Sequence, residues 1–202
     1  MKGYSRAALC AGSFLALLIA TVSGFAAAAA APPVRYALEP TRSLLRFAFE
    51  QAGANNTGRF GKYTADVLFS ADNLAASKID VTVDIASLDT GDKERDDTLK
   101  GADLFDVKKF PQAHFVATRF APNGTSRFDA TGKLTLRNVT KDLKIPLTFQ
   151  TKVEQGKTMG YMTGHATIKR LEYGVGQGEW KSTEWVKDDV NVTFSLRLMP
   201  AT

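Results

Sequence analysis

Between Ile79 and Ile85 apolar and polar positions alternate without a break: Ile79, Val81, Val83 and Ile85 against Asp80, Thr82 and Asp84. A period of two predicts a half-buried strand, with its apolar side chains on one face and its carboxylates in water. The pattern then gives way to the charged run Asp92 to Lys100, dotted with Leu99, Leu104, Phe105 and Phe110. Helix formers with apolar residues at helical spacing predict a short helical insert over residues 92–109. Pro111 ends it, and alternation resumes from His114 to Phe120.

The same alternation covers most of the chain. Leu45, Phe47 and Phe49 share a face, as do Tyr63, Ala65, Val67 and Phe69. Gly132 to Val139 predicts a strand with Leu134 and Leu136 on one side, followed by Ile145, Leu147, Phe149 and Val153. Met159 to Ile168 is polar-rich, and Val190, Val192, Phe194, Leu196 and Leu198 close the chain. Turn signals separate the runs at Asn55-Asn56-Thr57-Gly58, Ala71-Asp72-Asn73, Pro122-Asn123-Gly124, Gln155-Gly156 and Gly174 to Gly178.

About eight strands with one apolar face each, joined mostly by tight turns, predict an antiparallel sandwich or closed barrel. Closure is preferred because it removes the sheet edges that template aggregation. The fold class expected is therefore all-β, an eight-stranded antiparallel barrel with a helical insert. A barrel of that size is either filled by side chains or wide enough for one small ligand. An outer-membrane barrel would invert the polarity, and the short strands, weak aromatic girdles and helical insert argue against one.

Charge and cysteine narrow the setting. Lys2 and Arg6, the apolar run Ala7 to Val22 and the alanines at 26–31 have the layout of a cleavable export signal. The expected organisation is a signal peptide over 1–31 and one domain over 32–202, exported to the periplasm. The apolar run is short for a retained anchor, and Cys10 sits inside it, out of place for lipidation. With Cys10 removed, no thiol remains for disulfides, nucleophilic catalysis or thiolate-bound metal. Loss of Lys2 and Arg6 lowers the formal net charge from +5 to +3, with basic and acidic residues interspersed. That pattern does not suit a nucleic-acid binder.

The inward apolar set is Phe47, Phe49, Val67, Phe69, Val81, Val83, Ile85, Phe115, Leu134, Leu136, Phe149 and Phe194. It is either an ordinary core or the wall of a lumen. Leu99, Leu104, Phe105 and Phe110 would pin the insert against the barrel mouth or line the entrance. Trp180 and Trp185 would cover a barrel end or contact a ligand or lipid surface. His114 and His165 lie on different strands without metal-ligand spacing, so no metal site is expected. No serine stands in a nucleophile elbow. Asp89, Asp92, Glu94, Asp96 and Asp97 suit the first turns of a helix, and Arg95 and Arg170 are candidates to pair with them inside the barrel.

The stretches SLDTGDKERDDTLKGADLFDVKKFPQAHFVATRF and GKLTLRNVTKDLKIPLTF resemble the YceI family of exported lipid-binding proteins. The resemblance runs from Tyr36 to Leu198. It is most specific at Ser87-Leu88-Asp89-Thr90-Gly91, Arg95-Asp96, Leu99, Leu104 to Val107, Phe110-Pro111 and Gly132 to Thr135, with Arg170, Gly174 and Gly176 fitting a late motif. It implies a lipocalin-like barrel holding a long amphiphile, so the inward set becomes a lumen. Thr41-Arg42-Ser43 departs from the family's early histidine. The Asn-Asn-Thr loop within Gln51 to Phe60 and the late loop around Trp180 and Trp185 are similar to the cytochrome-b561-associated branch, which implies quinone-like ligands.

The expectation is a non-catalytic periplasmic carrier of a long-chain isoprenoid lipid, of quinone or polyprenyl type, with no other cofactor. A membrane b-type cytochrome and a second copy of the chain, as a homodimer, are further candidate partners. The competing readings are an enzyme acting on a lipid ester or prenyl phosphate around His165 or Arg170, and an accessory protein docking on that cytochrome.

Overall fold

Alternating apolar residues commit most of the chain to strands. The computed structural model describes residues 31–201. The expected signal segment, apart from Ala31, lies outside the described residues, as does Cys10. The strands are β1 (Val34–Leu38), β2 (Leu44–Gln51), β3 (Ala54–Phe60), β4 (Tyr63–Phe69), β5 (Lys78–Asp84) and β6 (Leu88–Asp89). One helix follows, α1 (Lys93–Lys100), and then β7 (Gln112–Pro122), β8 (Arg127–Leu136), β9 (Val139–Glu154), β10 (Lys157–Lys169) and β11 (Val186–Pro200).

Eight of these strands close into an antiparallel ring in the order β1-β4-β5-β7-β8-β9-β10-β11, with Leu38 opposite Leu198 at the seam. β11 is long enough to pair twice. Its last residues meet β1, and Val186 to Ser195 meet β2. β1 and β2 are thus successive stretches of one wall position, offset by the 3-10 turn at Pro40–Arg42, while β3 and β6 extend the wall from β2. The apolar face of each strand points inward and the polar face outward. On β5, for example, Ile79 is buried while the outward Asp80 carboxylate accepts from Lys78 at 2.8 Å. That polarity is the reverse of a lipid-embedded barrel.

Four expectations need correction. Asn55 to Gly58 is not a turn but part of β3, and the chain reverses instead at Ala52 and Gly53, with φ of 51° and 76°. Two successive left-handed residues match the twist of a hairpin, so pairing with β2 overrides the turn preference of the asparagines. The strand expected from Gly132 to Val139 stops at Leu136, because Arg137 and Asn138 take φ of 48° and 63° and make another tight hairpin.

Val153 follows the inward parity of its strand yet is 74% exposed, since this end of the β9–β10 hairpin lies away from the core. The helix occupies only Lys93–Lys100 of the insert expected over 92–109. Beyond Gly101 the chain coils around Asp106, whose N–H donates to Gly101 O at 2.8 Å and whose carbonyl accepts from Lys109 and Phe110. That coil buries Leu104.

Candidate functional site

One end of the barrel is solid. The Phe69 ring lies 4.6 Å from that of Phe149, 5.1 Å from Phe128 and 5.7 Å from Phe120, and Tyr36 stands edge-on to Phe149 at 5.6 Å. Val67, fully buried, packs in the same core. Aromatic edges meeting faces at these separations are favourable beyond their area burial.

Beyond the plug the barrel is hollow, with a cavity of about 660 Å³. Phe47, Phe49, Val81, Val83, Ile85, Phe115, Leu134, Leu136 and Phe194 line it, and Leu99, Leu104, Phe105 and Trp180 line it from the insert and the late loop. The structure therefore brings most of the expected set around one space. Val67, Phe69 and Phe149 are not in the cavity wall; they belong to the plugged region. Phe110 is also elsewhere, under the Arg137 guanidinium, whose Cζ lies 5.6 Å from the ring centroid. Sequence reasoning did not name Phe60, Tyr63, Leu143, Met162, Ala166, Val175 and Val186 as lining residues. Met162 and Ala166 sit on the polar-rich β10, where Gly160, Met162, Gly164, Ala166 and Ile168 do keep the period of two.

The hollow has a local cause. Phe47 pairs across the sheet with Gly58, and a Cβ on Gly58 would sit 2.3 Å from Phe47 Cζ. The ring occupies the volume a side chain would need, so it lies against the wall rather than across the lumen. Small inward residues beneath large ones thus trade wall thickness for internal space.

Arg170 holds the mouth together. It is 4% exposed, and its five N–H groups reach five backbone carbonyls. Nε donates to Lys187 O at 3.0 Å, one terminal nitrogen to Val175 O and Trp180 O at 3.0 and 2.7 Å, and the other to Ser182 O and Val186 O at 3.2 and 2.7 Å. Burial pulls its pKa below the usual guanidinium value, and the nearby Asp188 carboxylate opposes that. A guanidinium has five donors in a fixed fork, and all of them are used here.

The expected pairing of both arginines with the acids at 89–97 holds for Arg95, which meets Asp92 at 3.6 Å, but Arg170 takes carbonyls instead. Asp92 also caps α1 by accepting from Arg95 N at 3.1 Å, and Asp96 accepts from Thr90 N at 2.9 Å. These acids anchor the helix as capping predicts.

Trp180 is half-buried at the mouth, whereas Trp185 is 70% exposed. His114 Nε2 lies 2.7 Å from Asp80 on the outer face, and His165 is exposed on β10. Among the described residues no three His, Cys, Asp or Glu side chains converge as a metal site, and no helix is long and apolar enough to cross a membrane. Tyr63 differs from the other polar lining groups. Its hydroxyl is buried with no hydrogen-bond partner among the described residues, and burial pushes its pKa above the usual tyrosine value.

A closed antiparallel barrel with an apolar interior, sealed at one end by aromatic packing and covered at the other by a short helix, defines a class of small-molecule container. The family model for the YceI-like domain matches residues 36–198, and the chain belongs to that family. It is similar to Burkholderia cenocepacia BcnA, with 34% identity, a TM-score of 0.75, and coverage of 82% of this chain and 99% of that one. A polyisoprenoid binding domain from Saccharophagus degradans, implicated in plant cell wall breakdown, shares the fold at 17% identity. Its TM-score is 0.67, with 83% of this chain and 99% of that one covered. A UPF0312 protein of Vibrio parahaemolyticus serotype O3:K6 is 39% identical over 92 residues, which are 46% of this chain and 49% of the relative. The chain thus spans about half the length of that curated relative.

Proposed function

We propose that this protein is a non-catalytic carrier that shields a long-chain isoprenoid lipid, of quinone or polyprenyl type, in its lumen within the periplasm. The observation that carries the proposal is the cavity of about 660 Å³ with a mostly apolar wall, its charged residues coming from α1 and the mouth. That volume lies in the range of about 300–1,000 Å³ common to small-molecule sites. A prenyl chain burying on the order of 600 Å² would gain roughly 15 kcal/mol gross, of which ordering the chain takes back a large share. Apolar walls alone can therefore hold such a chain, and they discriminate its length poorly. The polyisoprenoid binding domain that shares this fold supports the ligand class. The mouth groups support carriage over catalysis, since Asp92 and Arg170 are engaged in capping and loop closure.

The test is uptake of a fluorescent apolar probe by the wild type and by Val83→Arg, which puts an unpaired charge on the lumen wall. Probe binding by the wild type, and its loss in a Val83→Arg protein that still shows a strand-rich circular dichroism spectrum, supports carriage. Equal binding by both proteins places the probe outside the lumen and contradicts it.

A further inference from the structure

The lumen has a definite floor. On the neighbouring strands β7 to β11 its lining stops within one inward step. Leu147 lines it and Phe149 does not; Leu196 lines it and Leu198 does not. On β8 and β10 the last lining residues are Ala130 and Met162, with Phe128 and Gly160 next in the inward row. Met162 stands directly across the sheet from Phe149 on one side and Leu196 on the other, so the lumen gives out at the height of Phe149.

Rings make that floor, not converging backbone. Ala117 on β7 and Gly160 on β10, the inward positions just beyond it, carry almost no side chain. The Phe149 ring occupies the space over Gly160, where an added Cβ would come within 3.0 Å of it. From there it reaches Phe69 at 4.6 Å and Tyr36 at 5.6 Å, which joins the wall to the middle of the plug. Phe69 is 1% exposed, so no gap is left behind it.

Apolar walls set no length, whereas an end does. A chain longer than the space between the floor and the α1 cap must leave its surplus in water, where each carbon forfeits what a bilayer offers it. Resting on the carrier reading, we propose that Phe149 is a specificity-determining residue whose ring sets the longest isoprenoid chain the lumen accepts. Truncating a large side chain in a packed core can leave a void of about 150 Å³, enough for a six-carbon ring. Phe149→Ala therefore deepens the lumen by about one five-carbon isoprene unit.

The test equilibrates delipidated full-length protein with phosphatidylcholine vesicles that carry equal amounts of prenyl alcohols, from geraniol (two isoprene units) to solanesol (nine). The protein is re-isolated and extracted, and the bound alcohols are measured by mass spectrometry. The wild type should take up chains to one length, with uptake falling about tenfold or more over the next unit. Phe149→Ala should raise that limit by about one unit. Phe149→Leu, a smaller truncation, should move it in the same direction, and it answers for Phe149 if the alanine variant does not fold. Leu147→Phe adds a ring on the lumen side of the floor and should lower the limit, and a general loosening of the barrel cannot produce shifts of opposite sign. A limit that neither Phe149 variant raises, or a wild type that takes up all lengths alike, overturns this assignment and leaves carriage standing. A wild type that takes up no prenyl alcohol overturns carriage, and this assignment with it.

Discussion

Phe194 of β11 lies directly opposite Gly164 of β10, and a Cβ at Gly164 would come within 2.4 Å of the Phe194 ring tip and 2.8 Å of Pro146 O. The glycine is what lets the ring rest on the barrel wall. Gly164→Ala should therefore drive Phe194 into the lumen or strain the neighbouring strand. Overpacking of this kind costs about 1–3 kcal/mol. The expected outcome is a lower melting temperature together with reduced probe uptake. Melting and uptake both equal to the wild type would show that the wall absorbs the methyl elsewhere.

Arg170 should be the least replaceable polar side chain at the mouth. Arg170→Lys keeps a charge but cannot reach carbonyls on Val175, Trp180, Ser182, Val186 and Lys187 at once. With buried carbonyls left unpaired at about 1–3 kcal/mol each, we expect destabilisation of about 3 kcal/mol or more. Chemical denaturation measures it, and limited proteolysis should show new cleavage between Gly174 and Val186.

How much of this was legible in sequence depends on what fixes each feature. Residue parity found the walls, because a one-residue slip would turn a whole strand inside out. Phe47, Val83 and Phe194 were therefore identifiable without coordinates. Parity could not separate Phe69 and Phe149 from the cavity, since they continue the same faces; only the mutual packing of their rings, 4.6 Å apart, makes them a plug. Parity also missed the hairpin at Arg137-Asn138, which uses two left-handed residues without a glycine. Arg170 was singled out from its motif, but its partners are backbone carbonyls, which no side-chain pattern announces.

On the outer face, Asp80 is held below the usual carboxylate pKa by its bond to Lys78 and then by that to His114. A depressed folded pKa contributes stability that is present above the unfolded value, about 3.9, and is lost as pH falls through the folded value. Asp80→Asn should thus be slightly less stable than the wild type at neutral pH, by a few tenths of a kcal/mol for so exposed a pair. The difference should close in strong acid. Melting curves at pH 7 and below pH 3 make the comparison, and a gap that widens in acid would contradict the assignment.

The cap over the mouth should control exchange more than affinity. Leu99 is the half-buried apolar residue of α1 that packs on the core and lines the cavity. Leu99→Ala should speed probe release several-fold in stopped-flow displacement, with little change in melting temperature, as expected of a lid with few anchoring contacts.

The central claim is that the lumen carries an isoprenoid lipid, and the most direct measurement is lipid mass spectrometry on an organic extract of the full chain, expressed in a bacterium with a periplasm and purified without detergent. The account predicts one isoprenoid species at close to one equivalent per protein, absent from an extract of Val83→Arg. An extract without isoprenoid, from protein whose lumen also refuses added apolar probe, would contradict it.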